Sequence, residues 1–135
     1  MKEISILGST GSIGTQALDV VRKNRDKFMI KALSCGRNLE LMKKQISEFE
    51  PELVVTATEE DAKLLRECFR GKAENIEFLS GEDGLLKLAG YDSDLLLNSL
   101  SGMRGMLPTY EAIKAGKNIA LANKESLVVG GDVIM

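Results

Sequence analysis

Three glycines within seven residues, Gly8, Gly11 and Gly14, lie between an apolar run and a segment of helical periodicity. Glycine permits a positive-φ turn and lets a phosphate approach the backbone N–H groups at the positive end of a helix. Thr10 and Ser12 add hydroxyl groups that can donate to phosphate oxygens. The spacing G-x-x-G-x-x-G differs from the common dinucleotide fingerprint and is informative only between a strand and a helix. It predicts a phosphate-binding turn, with a plain tight turn as the alternative.

The segment that follows the second predicted strand indicates which nucleotide would bind. An NAD site places Asp or Glu roughly 20 residues after the glycines, where it accepts from the ribose 2′-hydroxyl. No acidic residue occurs between Asp26 and Glu40, and Arg37 stands where a 2′-phosphate would lie. Asn38 is a candidate N-cap for the next helix. The pattern favours NADP over NAD, the alternative being a surface arginine followed by a helix cap.

A second polar group follows the last predicted strand, in a loop that contains Asn123, Lys124 and Glu125. Asn123 and Glu125 suit the start of a helix, so a capped and solvated loop is one interpretation. Lys124 opposes the helix dipole, which is tolerable where an anionic substrate binds. Asn98 and Ser99 end the fifth predicted strand and are candidates for lining the same cleft, with a flexible loop as the alternative.

These candidate residues are joined by alternating strand-like and helix-like segments. Apolar runs predict strands at 4–7, 28–35, 53–55, 76–79, 95–97 and 119–121, and amphipathic periodicity predicts helices at 13–22, 39–49, 62–69, 85–88 and 107–115. Such alternation is typical of the α/β class. We expect a doubly wound, Rossmann-like, mainly parallel sheet of about six or seven strands with helices on both faces. Ligands should bind at the carboxyl ends of its strands.

Length and composition limit the remaining possibilities. The 135 residues predict one domain, 1–135, and a net charge of −2 argues against a nucleic-acid partner. Histidine is absent, which excludes histidine triads and histidine metal ligands within this chain. Two cysteines 33 positions apart predict no zinc site, and Cys35 is expected to be buried and inert. With no leader or long apolar stretch, we expect a cytoplasmic protein without membrane contact.

Several blocks together resemble one enzyme family. They are ISILGSTGSIG at 4–14, LDVV at 18–21, GRN at 36–38, LPT at 107–109, AI at 112–113, AGK at 115–117 and LANKESLV at 121–128. In this order they are similar to the N-terminal domain of the 1-deoxy-D-xylulose 5-phosphate reductoisomerases. The resemblance implies an NADPH-dependent oxidoreductase of non-mevalonate isoprenoid biosynthesis. That enzyme isomerises and reduces 1-deoxy-D-xylulose 5-phosphate, a small phosphorylated sugar, to 2-C-methyl-D-erythritol 4-phosphate.

The resemblance also implies roles for particular residues. It assigns cofactor contacts to Thr10, Gly11, Ser12, Ile13, Gly36, Arg37, Asn38, Asn123 and Glu125. It assigns a substrate contact to Lys124 and no catalytic residue or metal ligand to this chain. Arg37 replaces a lysine that is frequent in the family and keeps the positive charge.

The resemblance further implies that important parts lie beyond Met135. These parts are the acidic ligands of a divalent Mg or Mn ion, a catalytic lid and a C-terminal helical domain, and much of the homodimer interface. We therefore expect an N-terminal fragment that is inactive by itself. Another NADP-dependent reductase and a non-catalytic NADP-sensing module are the alternative interpretations.

Overall fold

A computed structural model describes residues 2–72 and 75–99 together with the backbone of the strand at 118–121. Strands and helices alternate throughout this part of the chain. The elements are β1 (Lys2–Leu7), α1 (Ser12–Lys23), β2 (Phe28–Ser34), α2 (Leu39–Phe49), β3 (Leu53–Thr56), α3 (Glu59–Cys68), β4 (Glu77–Ser80), α4 (Gly81–Ala89), β5 (Leu95–Asn98) and β6 (Asn118–Leu121).

The strands form one sheet in the order β4-β3-β2-β1-β5-β6, and every pair of neighbours is parallel. The chain runs outwards from β1 to β4 and then crosses back to β5, so the winding direction reverses between β1 and β5. In open α/β sheets ligands bind beside the carboxyl ends of the strands at such a reversal. The predicted doubly wound parallel sheet of six or seven strands is confirmed, with six strands in the described residues.

Two apolar clusters cover the two faces of the sheet. Helices α1, α2 and α3 pack on one face, where they contribute Leu18, Met42, Ile46 and Leu65 to the larger cluster. Helix α4 contributes Leu88 to a smaller cluster on the opposite face. Burial of these side chains stabilises the sheet, and it fixes the carboxyl ends of β1, β2 and β5 at one edge of the molecule.

A β-bulge in β2 sets which of its side chains face each cluster. Ile4 pairs with Ile30 and Ser5 pairs with Ala32, so Lys31 is an extra residue in the ladder. Because of the extra residue, Leu33 faces the same cluster as Ile30 although the two are three positions apart. The alternation of apolar residues in 28–35 does not predict this bulge.

Helix starts differ slightly from the sequence-based expectation. Helix α3 begins at Glu59 rather than near residue 62, because the Thr58 hydroxyl accepts the backbone N–H of Asp61 at 3.2 Å. Helix α4 begins at Gly81 rather than residue 85.

The predicted helix at 107–115 lies outside the described residues. Within the described ranges, no helix is both long enough and apolar enough to cross a membrane.

Candidate functional site

The glycine-rich turn connects β1 to α1 at the reversal point of the sheet. Gly8 has a φ of 82°, which favours glycine strongly over other residues. Gly14 is buried against this turn, and a Cβ there would lie 2.2 Å from the Gly8 carbonyl oxygen. Gly11 differs, because among the atoms of the described residues an added Cβ would meet only that oxygen, at 3.6 Å, an ordinary contact. The fold therefore requires glycine at 8 and 14, whereas Gly11 leaves an open surface.

The start of α1 is electrically positive and unshielded. Its N-cap is Gly11, no side chain among the described residues caps it, and its first turn contains no acidic residue. Backbone N–H groups at such a helix start are suited to an anion. Ser12 is exposed beside them, and Ile13 is 41% exposed although it is apolar. This surface can accept a phosphate group.

The end of β2 approaches the same turn. The Gly36 N–H donates to the Thr10 hydroxyl at 3.4 Å, which joins the two segments. Arg37 is exposed, and within the described part of the chain its guanidinium has no hydrogen-bond or ion-pair partner. Asn38 caps α2, since its Oδ1 accepts the Leu41 N–H at 3.1 Å. The predicted cap is confirmed, and a cationic side chain stands next to the turn.

Two serines at the ends of neighbouring strands, the buried Ser34 and the partly buried Ser99, fix the backbone of this turn, a role that the sequence did not predict. The Gly8 N–H donates to the Ser34 hydroxyl at 2.8 Å, and the Ser9 N–H donates to the Ser34 carbonyl at 2.7 Å. Just after β5, the Ser99 hydroxyl donates to the Leu7 carbonyl at 2.6 Å, so this predicted lining residue also holds the turn. A serine at the end of an apolar strand was the available signal for Ser34.

The second predicted polar group lies outside the described residues, since Asn123, Lys124 and Glu125 follow β6. The backbone of β6 ends at Leu121, which is the register partner of Asn98 on β5. Asn98 itself is buried at the reversal point and has interactions within the fold.

Cys35 immediately precedes Gly36 and is buried, as predicted. Burial, with a smaller contribution from the negative charge of Asp61, raises the pKa of the Cys35 thiol to about 12. A thiol with this pKa is protonated at neutral pH and is a poor nucleophile. Cys35 therefore contributes packing to the site.

The described residues do not form a site for a metal ion. Across residues 2–72 and 75–99, no three His, Cys, Asp or Glu side chains form a group that could hold a metal ion. Mg²⁺ and Mn²⁺ need several converging oxygen ligands.

A doubly wound parallel sheet with a glycine-rich turn at its reversal point defines a Rossmann-like nucleotide-binding domain. The family model for 1-deoxy-D-xylulose 5-phosphate reductoisomerase matches residues 4–131. The chain belongs to this family.

Relatives support this membership. The 1-deoxy-D-xylulose 5-phosphate reductoisomerase of Shouchella clausii is 52% identical over 136 aligned positions, covering all of this chain and 35% of the relative. That of Thermoanaerobacter pseudethanolicus is 47% identical with the same coverage. The chain thus spans about a third of the length of the curated relatives it matches.

Solved structures of the family have the same fold. The Zymomonas mobilis reductoisomerase in complex with NADPH is 31% identical with a TM-score of 0.83, over 92% of this chain and 32% of that one. A reductoisomerase in complex with NADPH, fosmidomycin and magnesium is 30% identical with a TM-score of 0.85, over 93% and 31%.

Proposed function

We propose that residues 1–135 are the NADPH-binding domain of a 1-deoxy-D-xylulose 5-phosphate reductoisomerase. The observation that carries this proposal is the uncapped start of α1, which is open at Gly11 and stands beside the unpartnered Arg37. Within the described residues, neither feature stabilises the fold. Together they suit a ligand with two separated phosphate groups, as NADPH has.

The chain's residues hold the cofactor through its phosphates. The N–H groups at the start of α1 receive the pyrophosphate, with the Thr10 and Ser12 hydroxyls as further donors. Arg37 binds the 2′-phosphate with more than one N–H, while Gly36 leaves room beside it. Ile13 offers an apolar contact, and Asn38 orients the loop through its cap. When bound, NADPH supplies the hydride for the reduction.

The loop after β6 completes the site in this proposal. Asn123 and Glu125 face the cofactor, and Lys124 binds the phosphorylated sugar substrate. The whole enzyme isomerises 1-deoxy-D-xylulose 5-phosphate and reduces it to 2-C-methyl-D-erythritol 4-phosphate. Solved relatives are described with magnesium and with fosmidomycin, which supports a metal-dependent enzyme with an anionic substrate. The Mg or Mn ligands, and with them turnover, belong to chain beyond residue 135.

The proposal extends to the assembly and its location. By resemblance to the family, the whole protein is a cytoplasmic homodimer. Most of its dimer interface is formed by parts beyond this chain. The family match runs through the block at 121–128, which favours a reductoisomerase over another NADP-dependent reductase.

Amide hydrogen exchange of the chain with and without NADPH tests this proposal. We expect slower exchange at residues 10–15 and 36–39, because bound phosphates and ordered loops protect those N–H groups. The edge strand β4 (Glu77–Ser80) should be unchanged and serves as the internal control. Protection confined to other segments, or none at saturating NADPH, would contradict the proposed site.

A further inference from the structure

Gln45 on α2 contacts the glycine-rich turn with both ends of its amide. Its Nε2 donates to the Ser9 carbonyl at 2.9 Å, and its Oε1 accepts the Ser9 hydroxyl at 2.7 Å. Gln45 is 3% exposed and Ser9 is fully buried, so water does not compete for these groups. The Gln45 side chain thus binds both the backbone and the hydroxyl of Ser9, and it links positions 36 residues apart in sequence.

An apolar residue would be expected at this position of α2. Met42, Ile46 and Phe49 are the other buried residues of the helix, and all are apolar. Burying an amide is unfavourable unless each end is hydrogen-bonded, and here the turn supplies both partners. Packing alone would be satisfied by leucine. The polar side chain is therefore explained by what it does to Ser9.

Helix α2 also determines where Arg37 lies. Asn38 caps its first turn and Arg37 directly precedes this cap, while Gln45 lies two turns further along the same helix. The Gln45 amide thus fixes the glycine-rich turn relative to the loop that carries the guanidinium. A ligand that binds both places gains when their spacing is already set.

We infer that Gln45 is a positioning residue for the cofactor site, which holds the glycine-rich turn in register with Arg37 and so sets the affinity for NADPH. This inference rests on the proposed function. Gln45 itself does not touch the ligand and acts through Ser9.

Three variants test the inference. Gln45→Leu keeps the volume and removes both hydrogen bonds. Gln45→Glu offers an acceptor alone when ionised, but its neutral acid can accept from the Ser9 hydroxyl and donate to the Ser9 carbonyl, as the amide does. Gln16→Glu makes the same charge change at an exposed position of α1 and is the matched control. Each variant is titrated with NADPH between about pH 5 and pH 8, and its thermal unfolding is recorded without cofactor.

The Kd of Gln45→Leu for NADPH should exceed that of the unaltered chain by roughly tenfold at every pH, measured on folded protein. Gln45→Glu should bind NADPH weakly at about pH 8. As the pH falls and the carboxyl is protonated, its Kd should decrease toward that of the unaltered chain at the same pH. Gln16→Glu should show neither change. The pH-dependent recovery is a signature that a packing role alone would not produce.

Unchanged affinity in Gln45→Leu, whatever its melting temperature, would overturn the inference, and weak binding in Gln45→Glu alone would then be an effect of charge. If Gln45→Leu does not fold, the pH profile of Gln45→Glu decides, and a flat profile overturns the inference. If the unaltered chain does not bind NADPH, the proposed function fails and this inference fails with it.

Discussion

Gly11 and Gly14 have very different surroundings although they belong to the same turn. A Cβ at Gly14 would overlap the backbone of Gly8 and Ser9, whereas a Cβ at Gly11 would make one ordinary contact at 3.6 Å. Gly11 also has an extended backbone with a φ of −79°, which β-branched residues adopt readily. Beyond the mild preference for glycine over valine at an N-cap, no contact among the described residues requires glycine at position 11, whereas the proposed phosphate ligand would.

Substituting the two glycines should separate folding from binding. Gly14→Ala is expected to destabilise the chain by about 1–3 kcal/mol or more, because backbone atoms must move. Gly11→Val should destabilise the chain by only about 0.5–1 kcal/mol, because a glycine N-cap is lost, and should weaken NADPH binding by roughly tenfold or more, because its branches occupy the proposed phosphate surface. Thermal unfolding and cofactor titration measure the two effects. A Gly11→Val chain with unchanged affinity would contradict the phosphate-binding assignment.

The two cysteines should differ in reactivity. Cys35 has a pKa raised to about 12 by burial, and Cys68 is exposed. At about pH 8 roughly one ten-thousandth of the folded Cys35 is thiolate, so a disulfide reagent should label only Cys68. The native chain should consume one equivalent of reagent and the urea-unfolded chain two.

The variant Cys68→Ser is the control for this labelling, and its native form should not react. The raised pKa also means that the folded state binds the thiol proton more tightly than the unfolded state. This contribution to stability is complete below about pH 9 and declines as the pH rises above it. Rapid labelling of native Cys68→Ser would contradict the buried position of Cys35.

At the scale of elements, α2 packs into the core of the sheet and begins next to Arg37 of the proposed cofactor site. Its cap Asn38 accepts the Leu41 N–H, and its charge-bearing neighbour is Arg37. Asn38→Ala should lower the free energy of unfolding by about 1 kcal/mol, because the cap is lost. Asn38→Asp should keep the cap and the stability, yet weaken NADPH binding, because a carboxylate beside Arg37 repels the 2′-phosphate.

Urea unfolding and NADPH titration of the two Asn38 variants provide the measurement. Equal NADPH affinity in Asn38→Asp and the unaltered chain would show that the 2′-phosphate does not lie beside this helix start. Equal stability of Asn38→Ala and the unaltered chain would show that the cap contributes little.

The elements were predictable from sequence because their signal is local. Buried parallel strands are short apolar runs, and helices packed on one face repeat their apolar residues every three or four positions. The bulge at Lys31 was not predictable, since a lysine within a strand carries no signal for an extra residue in the ladder. The early start of α3 could have been predicted from Thr58, because threonine is a preferred N-cap residue.

The site was predictable in part for a related reason. The glycine spacing, Arg37 and Asn38 are contiguous patterns beside predicted strand ends. The distinction between Gly11 and Gly14 depends on where the Gly8 carbonyl points, which spacing does not encode. The contact between Ser9 and Gln45 depends on how α2 packs against the turn, and long-range packing leaves no mark in a single sequence.

At the scale of the whole molecule, the chain spans 35% of its curated relatives. Within the described residues it has a glycine-rich turn at the reversal point of the sheet and no metal-binding group. We therefore expect the 135-residue chain to bind NADPH without turning over substrate. Addition of 1-deoxy-D-xylulose 5-phosphate, NADPH and manganese should produce no NADPH oxidation, while a full-length member of the family does so in the same assay.

The variant Lys124→Ala is the background control for this assay. Substrate-dependent oxidation above that background would show that this chain holds the metal and the reacting groups by itself. The assignment of cofactor binding to this chain and of metal binding to later residues would then be wrong.

The central claim is that this chain binds NADPH in preference to NADH through Arg37. Calorimetric titration of both cofactors tests it most directly, with the variants Arg37→Ala and Arg70→Ala. Arg70 is the control, an exposed arginine just after α3 that pairs with Glu67. We predict a preference for NADPH of roughly ten- to a hundredfold, or about 1.5–3 kcal/mol, which Arg37→Ala loses and Arg70→Ala keeps. Equal affinities for the two cofactors, or a preference that survives Arg37→Ala, would contradict the account.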